Sequence, residues 1–311
     1  MDDPHLTAPL APFHGELPEA PQWFSRVLRE EPARRLVEVE GADIETLVWE
    51  PQQGAREPGL LLLHGYGAHA DWWSFIAPFL ARRRRVVAMS WSGMGRSDWR
   101  PTYSRALFGR EAVEVARATN LHDNGPPTLV AHSFGGRIAL SLAATQADAF
   151  GAAVIVDPPV FAPDRPRMGG PAEQEPRPHR VYPTLAAALA RFRFAPVQPC
   201  DNLYIADHIA RLSLCETPDG AGWTWRFDPF LWSKMQREDT DATLRAVRRP
   251  VALARGGVSR LMRPEDAAHM MSLLPAGSPF FEIPEAGHHV MVDQPLALAA
   301  AIDALLTSWP K

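Results

Sequence analysis

The chain has 311 residues, 46% of them hydrophobic and 22% charged, with a formal net charge of −4. That length suits one α/β domain with an inserted subdomain, and the composition is that of an ordinary globular protein. The small, evenly spread charge argues against a nucleic-acid partner, and Cys200 and Cys215 supply neither a disulfide framework nor a Cys-x-x-Cys metal motif, so no metal is expected.

Residues 1–34 read as an N-terminal arm: several prolines with little periodicity, then a short helix over 22–30 that docks Trp23, Phe24 and Val27. The opening Met-Asp-Asp-Pro-His lacks the basic and apolar regions of a secretory signal. No apolar stretch reaches membrane-spanning length, and the expectation is a cytoplasmic protein with no membrane partner. Strand-like runs follow at Arg35–Val39 and Glu45–Trp49, an antiparallel hairpin, and at Leu60–Leu63, Val86–Met89, Thr128–Ala131 and Ala153–Val156. Between and after them, Trp72–Ala81, Ser104–Thr119 and Gly135–Gln146 read as helices. The run Arg82–Arg85 reads as a solvated helix C-terminus favoured by the helix dipole. The alternation stops between Asp157 and Arg249, where a proline-rich stretch precedes the runs Leu185–Phe192 and Ile205–Ser213 and an aromatic segment, Trp223–Trp232. It resumes with strand Val251–Ala254, helix Pro264–Leu274, strand Phe280–Ile283 and helix Gln294–Ser308. The later strands are unbroken apolar runs, as strands covered on both faces should be, and the pattern predicts a doubly wound, mostly parallel sheet.

Three segments carry chemistry. Ala131-His132-Ser133-Phe134-Gly135-Gly136 lies between a strand and a helix, where a sharp turn hemmed by small residues lifts a serine hydroxyl above the sheet. Held in strained backbone geometry, such a serine needs small neighbours, although Ala131 stands where a glycine is usual. Leu60–Leu63 ends in His64-Gly65-Tyr66-Gly67, and Ile283 leads through Pro-Glu-Ala to Gly287-His288-His289. A fourth segment, Ser92-Gly93-Met94-Gly95-Arg96-Ser97-Asp98, lacks the third glycine and the helix start of a dinucleotide fingerprint, so no cofactor is expected.

Strand–His-Gly, then strand–serine elbow, then a late Gly-His is the order of α/β-hydrolases. Over roughly residues 35–308 the chain resembles that superfamily, in its lidded serine esterase and lactonase branch with haloperoxidase-like and dehalogenase-like relatives. The resemblance implies a core of residues 35–157 and 250–311 and a helical cap, 158–249, over the serine. Ser133 is then the nucleophile, which needs a base to take its proton. His288 holds the family's Gly-His position for that base, while His289 and His132 are expected to be structural and His64 to hold its loop. The amides of Phe134 and, by similarity, Tyr66 would stabilise the oxyanion.

The acid is less direct. The family's usual place, after the strand Val251–Ala254, reads Arg255-Gly256-Gly257-Val258-Ser259-Arg260-Leu261 with no carboxylate. Asp157 ends the adjacent strand, keeps the Ser–Asp–His order and is assigned as the acid. Glu265 and Asp266, after Pro264 at a helix start, are the alternative, although capping and the dipole also explain them.

These residues point to a serine hydrolase for a carboxylic ester or lactone of a hydrophobic small molecule. Ser133 excludes the aspartate-nucleophile dehalogenases and epoxide hydrolases. Carbon–carbon bond hydrolases, hydroxynitrile lyases, cofactor-free haloperoxidases and a ligand-binding protein with a degenerate site remain open. Among Trp72, Trp73, Trp91, Trp223, Trp225, Phe227, Phe230 and Trp232, at least half should be packing and the rest should line an apolar cleft.

Overall fold

The computed structural model describes residues 8–51, 54, 57–165, 176–235 and 240–309. Residues 1–7 of the predicted arm, and 166–175 and 236–239 of the predicted cap, lie outside the described residues. The strands are β1 (Ala33–Val39), β2 (Ala42–Trp49), β3 (Leu60–Leu63), β4 (Val86–Met89), β5 (Thr128–His132), β6 (Ala152–Val156), β7 (Leu214–Glu216), β8 (Trp223–Trp225), β9 (Val251–Gly256) and β10 (Phe280–Ile283). Among the described residues, eight of them form one sheet in the order β1-β2-β4-β3-β5-β6-β9-β10. The β1–β2 and β2–β4 pairs are antiparallel and the rest parallel.

The helices are α1 (Gln22–Val27), α2 (Ala77–Leu80), α3 (Arg105–Ala118), α4 (Phe134–Thr145), α5 (Leu185–Leu189), α6 (Leu203–Leu212), α7 (Thr240–Ala246), α8 (Pro264–Leu273), α9 (Val290–Asp293) and α10 (Pro295–Ser308). Successive strand side chains point to opposite faces, so each apolar run feeds two cores. Leu60, Leu62, Val130, Val154 and Val156 join a cluster with Phe24, Leu80, Ile209 and Ile302. Leu61, Leu63, Leu129, Ala131 and Ile155 join the other, with Phe108, Ile138, Leu244 and Met270. The chain between β6 and β9 leaves the sheet, and its helices α5 and α6 pack into the first cluster through Leu189, Ile205 and Ile209.

Three local expectations need correction. The helix predicted over 72–81 is a 3₁₀ turn, Ala70–Trp73, followed by α2, because Pro78 has no amide to continue a helix through it. The last helix, expected over 294–308, is α10, and Gln294 (φ −132°, ψ 60°) stands just outside it because the residue before Pro295 is driven out of helical geometry. Part of the aromatic segment pairs as the hairpin β7–β8, turned by Thr217-Pro-Asp-Gly220 with φ +70° at Gly220. The Arg82–Arg85 run is not a solvated face throughout: Arg84 is 3% exposed and pairs with Glu57, and Arg85 donates to the Thr119 and Asn120 carbonyls.

The parallel strands place their carboxyl ends along one edge. His64 after β3, Ser133 after β5, Asp157 after β6 and the loops after β9 and β10 therefore meet there, where open α/β sheets place their ligand sites.

Candidate active site

Ser133 is the single residue between β5 and α4, with φ +53° and ψ −118°. Such a conformation costs a non-glycine residue about 1–3 kcal/mol and persists only where the surroundings enforce it. They do so here by close approach. A Cβ at Gly135 would lie 2.6 Å from the His64 carbonyl oxygen, and one at Gly65 would lie 3.2 Å from Ser133 Cβ. Glycines thus let the His-Gly turn sit directly against the elbow.

The turn itself is held by His64, whose Nδ1–H donates to the Gly65 carbonyl (2.7 Å) while Nε2 accepts from the Trp91 amide (3.1 Å). Burial pushes this imidazole down to about 3, so it stays neutral and structural. The amide of Phe134 is the first of α4 and has no intrahelical partner. Among the described residues, neither it nor the Tyr66 amide donates to a protein acceptor. Both are free to hold a developing negative charge, and the N-terminus of α4 favours one.

Asp157, fully buried, lies against His288: Oδ1 accepts from His288 Nδ1 (2.8 Å) and from Ser259 Oγ (2.8 Å), and Oδ2 accepts from the Gly256 amide (2.9 Å). The end of β9 and the carboxylate-free loop after it therefore supply donors to the Asp157 carboxylate. Gly256 cannot carry a side chain, because a Cβ there would lie 2.1 Å from the Gly287 carbonyl oxygen, the foot of the histidine loop. Glu265 is exposed and pairs with Arg263. Asp266 is buried, accepting from the Arg263 and Ala162 amides (both 2.9 Å) and pairing with Arg165. Neither carboxylate meets His288.

With Nδ1 donating to Asp157, His288 presents a bare Nε2, which accepts from the Ser133 hydroxyl at 3.0 Å. Only that tautomer can take the serine proton. The histidine loop is fixed by Asp293, whose Oδ2 accepts from the Gly287 amide (2.7 Å) and from Gln198 Nε2 (2.8 Å). Gln198 Oε1 in turn accepts from the His289 amide (3.0 Å), and burial pushes the Asp293 carboxyl up to about 6. His132 donates Nε2–H to the His288 carbonyl (2.9 Å). Ser259, Gln198 and Asp293 were not singled out from the sequence. The only signal was for Ser259, a hydroxyl in the one loop where a carboxylate was missing.

The candidate aromatics divide. Trp73 and Trp91 are fully buried, Trp72 packs on Phe194 and His289, and Trp225 packs near Phe192. Phe227 and Trp232 reach the site: the Tyr66 ring lies 6.1 Å from Phe227 and 5.0 Å from Trp232, and Phe134 lies 5.6 Å from Trp232. Their segment is tied down by buried Asp228, which accepts from Tyr103 Oη (2.9 Å) and Lys234 Nζ (2.7 Å). A cleft of ≈ 290 Å³, lined by Pro196, Val197, Val258 and Asp293 among others, reaches His288.

A mostly parallel sheet with a strained serine at its carboxyl edge is the architecture of an α/β hydrolase. The chain belongs to the Alpha/beta hydrolase family, whose model matches residues 60–301, and is a hydrolase of that family. It is similar to Esterase Rv0045c of Mycobacterium tuberculosis (strain ATCC 25618 / H37Rv), 27% identical over 293 residues, covering 88% of this chain and 90% of that protein. It is also similar to the (lyso)-N-acylphosphatidylethanolamine lipase of Mus musculus, 32% identical over 150 residues, 47% of this chain and 41% of that protein. Of solved structures, E-2-(acetamidomethylene)succinate hydrolase superposes with a TM-score of 0.70 over 89% of this chain and all (100%) of that one, at 19% identity, a likeness of fold alone.

Proposed function

We propose that this hydrolase cleaves a carboxylic ester or lactone of a hydrophobic small molecule through an acyl-enzyme on Ser133. The observation that carries the reading is the relay Ser133 Oγ–His288 Nε2 (3.0 Å) and His288 Nδ1–Asp157 Oδ1 (2.8 Å). As Ser133 attacks the carbonyl, His288 takes its proton, and Asp157 holds the productive tautomer and stabilises the imidazolium. The Tyr66 and Phe134 amides receive the oxyanion. His288 then protonates the leaving alcohol and activates the water that releases the acyl group.

Segment 158–249 acts as the cap in this reading. Phe227 and Trp232 meet Tyr66 and Phe134 beside the oxyanion position, an apolar surface suited to an aryl or acyl chain. The names of the two relatives, an esterase and a lipase, favour carboxylic esters. A cytoplasmic location goes with this reading, and no described helix is long and apolar enough to cross a membrane.

The test combines a fluorophosphonate probe with a panel of aryl esters, alkyl esters and lactones, using wild type and Ser133→Ala. The expected result is labelling at Ser133 and loss of nearly all turnover in the variant. An unlabelled protein would indicate a binding protein, and a labelled protein inert to the whole panel would indicate a carbon–carbon hydrolase or lyase. Either outcome overturns the proposal.

A further inference from the structure

The amides on either side of His288 are held by one pair of side chains. Gly287 N–H donates to Asp293 Oδ2 (2.7 Å), and His289 N–H donates to Gln198 Oε1 (3.0 Å). Gln198 closes the circuit by donating Nε2–H to the same Asp293 oxygen (2.8 Å). Among the described residues, neither amide has a backbone acceptor. The fit is close enough to demand a glycine: a Cβ at Gly287 would lie 2.9 Å from Gln198 Oε1 and 3.2 Å from Asp293 Oδ2.

Gln198 does not belong to the loop it holds. It lies 91 residues before His289, in the chain that leaves the sheet between β6 and β9. Two more residues of that chain grip the same loop. Asn202, the N-cap of α6, donates Nδ2–H to the Val292 and Asp293 carbonyls (2.8 and 3.0 Å), and its own Oδ1 accepts from Tyr204 Oη (2.9 Å). The Phe194 ring centre lies 5.0 Å from that of His289. Gln198, Asn202, Gly287, His288 and Asp293 all line the cleft of ≈ 290 Å³, so on that side the histidine loop rests on these bonds rather than on a packed layer. A hydrogen-bonded amide fixed at both ends is a geometric device, and catalysis is sensitive to geometry: a displacement of about 1 Å at a reacting group can cost about 10²-fold in rate.

We propose that Gln198 is a positioning residue for His288, and that through it the docking of the segment between β6 and β9 sets whether the base is aligned with Ser133. The inference rests on the reading of His288 as the base. When the segment is docked, Gln198 and Asp293 hold both flanks of His288, and Nε2 stands 3.0 Å from the Ser133 hydroxyl. When it lifts, Gln198 and Asn202 leave together, the His289 amide loses its acceptor, and the imidazole is no longer fixed over the serine.

The experiment uses the full chain and compares kcat/KM on nitrophenyl and alkyl esters, normalised to the serine labelled at completion by a fluorophosphonate. Gln198→Met keeps an unbranched side chain of similar length without its hydrogen bonds, and should lower kcat/KM on alkyl esters by about 10²-fold. The loss on nitrophenyl esters should be about tenfold smaller, because their leaving group needs little help from the proton that His288 delivers. Combining Gln198→Met with Asp293→Ala should be scarcely worse than the poorer single variant, since the two side chains hold one loop. Equal fractional losses on both ester classes, multiplicative losses in the double variant, or turnover per labelled serine within about twofold of wild type would each overturn the proposal. Hydrogen exchange on the wild-type chain provides the second measurement, independent of whether any variant folds. Peptides covering 196–204 and 285–293 should open together with one protection factor, and a histidine loop that stays protected while 196–204 exchanges also overturns it. Failure of the serine-hydrolase reading would show instead as unchanged turnover in Ser133→Ala, with the two peptides still exchanging together.

Discussion

At the scale of single residues, Asp157 is held by three donors of unequal consequence. The His288 Nδ1–H bond sets the tautomer, whereas Ser259 Oγ and the Gly256 amide only place the carboxylate. Asp157→Asn should therefore lower kcat by a factor on the order of 10³–10⁴, because an amide at this position stabilises the wrong imidazole tautomer. Ser259→Ala leaves the other two donors in place and should cost about ten- to a hundredfold, the worth of one hydrogen bond to a charged group at about 1.5–3 kcal/mol. Steady-state kcat on the best ester of the panel checks both, and a reversed ranking would move the acid elsewhere. Ser133→Ala combined with His288→Ala should be scarcely worse than either alone, since the two act as one unit.

Among elements, α8 shows how a residue at a helix start can acquire a second role. Asp266 at its third position was expected to serve the cap and the dipole, worth at most about 1 kcal/mol. It is fully buried and also accepts from Ala162 and pairs with Arg165, joining α8 to the chain that leaves β6. Breaking a buried pair from one side strands the other charge and costs about 3–5 kcal/mol. Asp266→Asn should thus lower the unfolding free energy by about 3 kcal/mol in urea titrations, while turnover per fluorophosphonate-reactive Ser133 stays at the wild-type value. A variant with unchanged stability would show that the pair contributes nothing.

Across the whole molecule, the buried histidines make the fold acid-sensitive. Burial pushes His64 down to about 3 and His208 down to about 4, and holds His132 and His289 well below the usual range. Their unfolded values are about 6.5, so below that pH the unfolded chain binds more protons than the native one. The stability associated with these groups is present above pH 6.5 and is lost as pH falls toward 4. Asp293 has the opposite sign: raised to about 6, it contributes below its unfolded value and loses that contribution as pH rises through 6. The buried histidines dominate, so stability should fall steadily as pH drops from 6.5 toward 4. Urea midpoints between pH 7 and 4.5 test this, and a flat profile would contradict it. His208 also bonds Ser74 across the seam between α6 and the sheet domain (2.8 Å), where its protonation would be felt.

Local chemistry made much of this protein readable from its residues alone. Unbroken apolar runs such as Leu60–Leu63 demand a strand covered on both faces, and a serine hemmed by Gly135 and Gly136 demands a tight turn. Each depends on atoms a few residues apart, and the proposal of Asp157 as the acid draws on one short loop lacking a carboxylate. What the sequence did not contain was the set of approaches between distant segments. The Thr217–Gly220 turn becomes a hairpin only because β8 meets β7, and Arg84 is buried only because Glu57 lies beside it. Ser259 donates to Asp157, and His132 lies beside His288 and His289, across gaps of 102 and 156 residues or more. Such contacts exist only after the sheet has aligned its carboxyl ends, and the tertiary structure alone decided them.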